Sequence, residues 1–388
     1  MDFHDTSEEA AFRAELRAWL SEHWAGRPLE GGRGDFDALR RWGGELYKAG
    51  YVGLTWPSEY GGRGLSPTYQ AIYLEEMSRA NAPGHPGVIG LNMAGPTIIA
   101  WGTPEQKKRY LRPLLDGSEI WCQGFSEPGS GSDLASGRTS AVLDGDHWVV
   151  NGQKVWSSYA HKADFCILVV RTDPSAAKHA GLSYLIVDMH APGVTVRPLV
   201  QITGDPEFNE IFFDDVRVPR SSILGSPGDG WKVAMTTLLH ERGTLGFALS
   251  AELERMVNQL IKLVKEPGPD GRRPADDPVI RDAVAREWIE MQSLRFTNYR
   301  SLTTLLETGI PGPEGSGVKL AWSEANQRLT SLAQSLFGLT GLVSDEAPWN
   351  GFWQYWQLRS RGNTIEAGTS EILRNIIAER VLGLPKGR

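Results

Sequence analysis

The hydrophobic period of this chain changes twice, and that double switch restricts the possible folds more than any single motif does. From Thr6 to about Ser118 the spacing is helical. Thr6-x-x-Glu9 is a capping box, and Phe12, Leu16 and Leu20 then recur on one helical face. Trp56-Pro57-Ser58-Glu59-Tyr60-Gly61-Gly62-Arg63-Gly64 interrupts the helices with a turn cluster, and Thr103-Pro104-Glu105-Gln106 caps a helix that runs into Leu115. From about Glu119 to Gly225 the signal is β: Trp148–Val150, Phe165–Val170, Leu182–Val187 and Ile211–Phe213 are short β-rich runs, with Asp144-Gly145 as a hairpin turn. From Gly230-Trp231 onward helices return, broken by a Gly/Pro/Asp-rich stretch from Glu266 to Pro278. Helix, then strand, then helix is an α+β arrangement of separate layers, not βαβ alternation. It divides the chain into a helical N-terminal domain over 1–118, a β-domain over 119–226 and a helical C-terminal domain over 227–388.

At 388 residues the chain can bury a large core in about two or three units. A net charge of -7 with no dense Lys/Arg face argues against nucleic-acid binding. No run of about eighteen apolar residues exists, so no membrane insertion is expected. The acidic start Met1-Asp2-Phe3-His4-Asp5 lacks the features of a signal peptide. Cys122 and Cys166 read as small core residues, and the eight histidines lack paired ligand spacing, so no metal site is expected. Together these features predict a cytosolic protein.

Two segments carry chemistry. Ser126-Glu127-Pro128-Gly129-Ser130-Gly131-Ser132-Asp133 is a turn-rich loop of small residues. Its glycines are expected to take positive φ and let the backbone approach a ligand closely. Its amides and hydroxyls suit an anion such as a pyrophosphate. Lys154-Val155-Trp156-Ser157-Ser158 then sets a large aromatic beside two hydroxyls at the end of a β-like run, as a flat ring with polar edges requires.

In this order and spacing, the pair resembles the flavin-binding middle domain of the acyl-CoA dehydrogenases. Trp56-Pro57 with Gly61-Gly62, Phe213-Asp214-Asp215-Val216-Arg217-Val218-Pro219 with Gly228-x-Gly230-Trp231, and Glu366-Ala367-Gly368-Thr369-Ser370-Glu371 with Ile376-Ile377-Ala378-Glu379-Arg380 are similar to three further family segments in register. The resemblance implies that family's fold and non-covalent FAD. It places Phe125 and Ser126 at the pyrimidine edge, and Gly131 and Ser132 at the pyrophosphate. Trp156 falls against the dimethylbenzene ring, Ser158 at N5, and Thr369 and Glu371 at the adenosine half. Ser132 and Arg242 fall on the substrate side.

The same resemblance implies α,β-dehydrogenation of an acyl-CoA to a trans-2-enoyl-CoA, with an electron-transfer flavoprotein as oxidant. The reaction needs a base for the α-proton and an oxyanion site for the enolate-like transition state. Ala367 occupies the family's commonest base position and cannot act as one. Its backbone amide, with the flavin ribityl 2′-hydroxyl, matches the thioester oxyanion site. Members resembling isovaleryl- and long-chain acyl-CoA dehydrogenases carry a Glu before an Arg on the first long C-terminal helix. Here that place holds His240-Glu241-Arg242, so Glu241 is the expected base and Glu366 its runner-up.

Two departures concern the cross-subunit half of the FAD site. Pro267-Gly268-Pro269-Asp270-Gly271 replaces an Arg-x-x-Phe-Gly segment. Ser335 stands where many relatives have Gln, with Gln334 one step off, ahead of Phe337-Gly338-Leu339. The chain therefore reads as a homo-oligomer (dimer or tetramer) or as half of a heterotetramer with a second family subunit, acting on a bulky, steroid-like side-chain CoA ester. A dehydrogenase or oxidase of carrier-protein-bound acyl groups stays open beside these.

Overall fold

A computed structural model describes residues 4–24, 35–268, 271–309, 312–313, 315–343 and 347–386, without the side chains of residues 241–245. Among the described residues the helices are α1 (Ser7–His23), α2 (Phe36–Lys48), α3 (Pro67–Arg79), α4 (Gly95–Trp101) and α5 (Pro104–Asp116). Strands follow: β1 (Trp121–Gly124), β2 (Ser140–Asp144), β3 (His147–Lys154), β4 (Phe165–Arg171), β5 (Leu182–Asp188), β6 (Val194–Leu199) and β7 (Phe208–Pro219). Then come α6 (Gly230–Lys265), α7 (Pro278–Thr308), α8 (Gly315–Ser335), α9 (Phe352–Ser360) and α10 (Ser370–Ile376). The α+β expectation holds, with strands confined to the middle of the chain.

Two compact units emerge: one from Met1–Gly26, Pro67–Ala82 and Arg242–Arg388, the other from Arg27–Ser66 and Pro83–Glu241. The N-terminal helices are shared between them. In the first unit, α1 begins at the expected capping box and buries Phe12, Leu16 and Leu20. Each such side chain contributes roughly 1.5–3 kcal/mol on burial. Arg13 of α1 donates to Glu75 (2.8 Å) and Glu76 (3.0 Å) of α3, and Tyr299 of α7 donates to Glu75 (3.0 Å), so one charged cluster ties three helices. The helical core gathers Leu253, Met256, Leu260, Leu294, Leu329 and Trp353.

The second unit holds a seven-stranded mixed sheet in the order β1-β4-β2-β3-β7-β6, with β5 paired to β4. β4 and β5 are buried almost end to end, which is why their sequences read as unbroken apolar runs. The β2–β3 hairpin turns at Asp144-Gly145 as expected, with Gly145 at φ 61°. Cys122 and Cys166 face one another on β1 and β4, both buried, in keeping with core cysteines. The Trp56 turn is built on contact: a Cβ at Gly62 would sit 2.2 Å from the Trp56 carbonyl oxygen, so only glycine fits.

Candidate flavin and thioester site

In the β-containing unit, the loop after β1 is fastened by charge from beneath. Lys154, 1% exposed at the end of β3, donates to the Phe125 carbonyl (3.1 Å) and to Glu127 Oε1 (2.8 Å). Glu127 also accepts from the Arg138 (2.7 Å) and Thr139 (2.8 Å) amides. Burial alone would raise the Glu127 carboxyl, but the Lys154 ammonium and these amides hold it below its ordinary value. Burial likewise lowers Lys154, and Glu127 opposes the shift. Glu127 and Ser130 exchange backbone bonds (2.8 and 3.0 Å) to close the turn, and the Ser130 hydroxyl donates to the Asp133 carbonyl (2.6 Å). The Phe125 ring stands edge-on to Tyr184, 5.8 Å between centroids.

The glycines of this loop correct one expectation. Neither Gly129 nor Gly131 has positive φ, because the Glu127–Ser130 turn is closed without a left-handed residue. A Cβ on either would meet no atom within 4 Å. What Gly131 supplies is room beside the backbone, next to the exposed Ser132.

The second segment lies directly against the first, since the Val155 N–H donates to the Ser126 carbonyl (2.9 Å). Trp156 follows in the left-handed region at φ 62° with 61% of its surface exposed, touching Phe208 edge-on. A bulky residue held there costs on the order of 1–3 kcal/mol. The strain persists because Asn209 clamps the next residue: the Ser157 N–H donates to the Asn209 carbonyl (3.1 Å), and Asn209 Nδ2 donates to the Ser157 carbonyl (2.9 Å). The ring is thus displayed and not stored in a core, which suits stacking on a flat ligand. Ser158 is partly buried, and its hydroxyl has no partner among the described residues; the buried Ser157 hydroxyl has none either.

In the other unit, Ala367 adopts φ 51° and Gly368 φ 94°. Lys319, buried on α8, donates to the Gly368 carbonyl (2.8 Å), repeating the way Lys154 pins Phe125. The Ala367 N–H donates to no acceptor among the described residues. Glu366 is clasped by Arg359 through both guanidinium nitrogens (3.1 and 2.9 Å) and by Asn363 (2.8 Å). Thr369 caps α10 by accepting from the Ile372 amide (3.3 Å). Glu371 is exposed in the first turn, its carboxyl lowered by its own amide and the Thr369 hydroxyl.

Glu241 and Arg242 fall within α6, but their side chains lie outside the described residues, as do Pro269 and Asp270. Gln334 Nε2 donates to the Gly341 carbonyl in the turn after α8, and Ser335 Oγ donates to the Leu332 carbonyl (2.7 Å) in the last turn of α8 itself. Lys154, Lys319, Arg359 and Asn209 received no role from the sequence. Lysines are almost never fully buried, so a lysine ending a β-rich run was the available signal for Lys154. Among the described residues no helix is long and apolar enough to cross a membrane.

Comparison with known proteins gives matches along nearly the whole chain. Residues 6–118 match the family model "Acyl-CoA dehydrogenase, N-terminal domain", 122–216 the middle domain and 228–382 the C-terminal domain. The chain is 44% identical over 384 residues to the acyl-CoA dehydrogenase IpdE1 of Mycobacterium tuberculosis, covering 97% of each. It is 33% identical over 343 residues to the human mitochondrial short-chain specific acyl-CoA dehydrogenase, covering 86% of this chain and 80% of that one. Among solved structures, the Tcur3481-Tcur3483 steroid ACAD superposes with a TM-score of 0.87 at 32% identity, covering 100% of both chains. The ChsE4-ChsE5 complex from Mycobacterium tuberculosis does so at 0.86 and 30% identity, again covering 100% of both.

Proposed function

Because the chain belongs to the acyl-CoA dehydrogenase family, we propose that it is an FAD-dependent enzyme converting an acyl-CoA thioester to its trans-2-enoyl-CoA. The observation that carries this reading is the Val155–Ser126 hydrogen bond, which sets the displayed Trp156 beside the pinned Phe125–Ser132 loop. Room at Gly131 and the exposed Ser132 fit an incoming pyrophosphate. Phe125 and Ser126 would meet the pyrimidine edge, Trp156 the ring, Ser158 its N5, and Thr369 and Glu371 the adenosine half. When bound, FAD supplies the hydride acceptor.

The remaining chemistry falls to the chain. Glu241 takes the α-proton. The Ala367 N–H, presented by a left-handed turn and committed to no described acceptor, donates to the thioester oxygen. Arg242 steadies the CoA side. The Arg359 clasp on Glu366 supports Glu241 over the runner-up, since Glu366 already accepts three hydrogen bonds. An electron-transfer flavoprotein is the proposed oxidant.

Removing the ring and removing the hydroxyl should have separable effects. Trp156 is mostly exposed, so Trp156→Ala should leave thermal stability of the FAD-free protein nearly unchanged while costing on the order of 3 kcal/mol of FAD affinity. Ser158→Ala loses one hydrogen bond, on the order of 1 kcal/mol, so FAD stays and reduction slows about tenfold. Equal FAD retention by both variants would remove the role given to Trp156.

A second reading is favoured by the local bonds of Gln334 and Ser335, each to a carbonyl three to seven residues away in its own chain. Lacking cross-subunit FAD groups, the chain would pair with a different family subunit that supplies them and act on a bulky, steroid-like CoA ester. One similar structure is titled a steroid ACAD and another a two-chain complex. Flavin content after expression alone and with such a subunit separates the two: full loading alone indicates a homo-oligomer.

A further inference from the structure

Three fully buried hydroxyls meet one helical turn ahead of Glu241. Tyr184 of β5, Thr237 of α6 and Thr97 of α4 are each 0% exposed. Thr237 Oγ1 lies 2.9 Å from Tyr184 Oη and 2.9 Å from Thr97 Oγ1, and Thr97 Oγ1 lies 2.7 Å from the Met93 carbonyl oxygen. A fourth contact, from Thr237 to the Val233 carbonyl, is longer at 3.1 Å.

Three hydroxyls carry three hydrogens, so the four contacts cannot all be made at once. The three shortest are satisfied together only if the chain runs one way: Tyr184 donates to Thr237, Thr237 to Thr97, and Thr97 to the Met93 carbonyl. Its end point lies in a single π-helical turn, Gly90–Ala94. Trp56 Nε1 donates to another carbonyl of that turn, Leu91 (3.3 Å). Such turns recur at functional sites. If the chain were cut at Thr97, the Thr237 hydrogen would fall back on Val233, a bond within the helix that tends to bend it; a cut at Tyr184 leaves the Thr237–Thr97 bond but unties α6 from β5.

The backbone position of Glu241 is four residues beyond Thr237, one turn along the same stripe of α6. Tyr184 has a second task, since its ring backs Phe125, whose carbonyl Lys154 holds. One residue therefore abuts both the loop proposed to hold flavin and the helix proposed to carry the base. We infer that the Tyr184–Thr237–Thr97 hydroxyl chain is a positioning device that fixes the α6 turn bearing Glu241 relative to the Phe125 loop. This inference rests on the reading of Glu241 as base.

The test compares Thr237→Val, Tyr184→Phe and Thr237→Ser with Glu241→Gln in the FAD-loaded protein, or in its complex if a partner subunit is needed. Rates of flavin reduction by a saturating acyl-CoA are followed across pH, together with FAD content and acyl-CoA affinity. The expected result is a roughly ten- to hundredfold slower reduction in the Val and Phe variants, with a displaced acidic limb and FAD and acyl-CoA binding retained. Thr237→Ser keeps the hydroxyl and should behave as the unaltered protein. If Thr237→Val does not fold, Tyr184→Phe, which loses only an oxygen, decides alone. An unchanged rate and limb in these variants beside an inactive Glu241→Gln overturns the positioning role and spares the base. A slower rate with an undisplaced limb and lowered thermal stability marks an ordinary structural contact and also overturns it. Full activity in Glu241→Gln removes the base reading and this inference with it.

Discussion

Glu241→Gln should give a yellow protein that still binds acyl-CoA but reduces its flavin roughly two to four orders of magnitude more slowly. The amide keeps the size and hydrogen bonding of the carboxylate and cannot accept the α-proton of the thioester. Glu366→Gln is the matched control. It breaks a clasp at a partly exposed site, a loss on the order of 1 kcal/mol in local stability, and should leave reduction nearly intact. Ala367→Glu in the Glu241→Gln background should recover part of the rate. Alanine already tolerates φ 51° there, so a glutamate adds no further backbone strain. Stopped-flow reduction under anaerobic conditions reads all three. Activity that survives Glu241→Gln and vanishes in Glu366→Gln would move the base to Glu366.

Lys154→Met should be the most destabilising single change near the site. It leaves Glu127 buried without its ammonium partner, and breaking such a pair from one side costs about 3–5 kcal/mol. FAD should be lost with it, because the Phe125 carbonyl and the Arg138 and Thr139 amides are all tied to this pair. Adding Glu127→Gln removes the orphaned charge and should restore part of the stability. The pH dependence has a definite sign. Folding lowers the Glu127 carboxyl, so its stabilisation is present above the unfolded carboxylate value and is lost as pH falls through the lower folded value. In Lys154→Met, burial is opposed only by the amides, so the folded carboxyl moves back toward its unfolded value and the acid-linked loss of stability from Glu127 should shrink and be complete at higher pH. Urea unfolding at several pH values measures both effects. A Lys154→Met protein of unaltered stability would mean that the ion pair adds nothing.

Much of this architecture is written locally in the chain. Thr6 and Thr103 cap α1 and α5 through side chains that sequence alone identifies, and the apolar runs of β4 and β5 reflect burial on both faces. The two segments proposed to hold flavin were legible as a loop and a β-run end, and they do lie side by side. β6 was not named, because Pro198 and Arg197 suit the exposed edge it occupies and dilute its β signal. The π-turn at Gly90–Ala94 has no sequence signature of its own and depends on distant Trp56 and Thr237. Lys154 and Glu127 are 27 positions apart, so their pairing is a product of tertiary structure. The expected positive φ at Gly129 and Gly131 failed because the Glu127–Ser130 backbone pair closes the turn without a left-handed residue, and the space beside both glycines is open.

Flavin-dependent dehydrogenation of an acyl-CoA can be read in one titration. The purified protein, alone or with a second family subunit, is scanned for visible flavin absorbance and then titrated anaerobically with a panel of acyl-CoA thioesters. The expected result is releasable FAD whose absorbance bleaches with at least one thioester as the enoyl-CoA forms. A colourless protein that takes up no FAD in either preparation would contradict it.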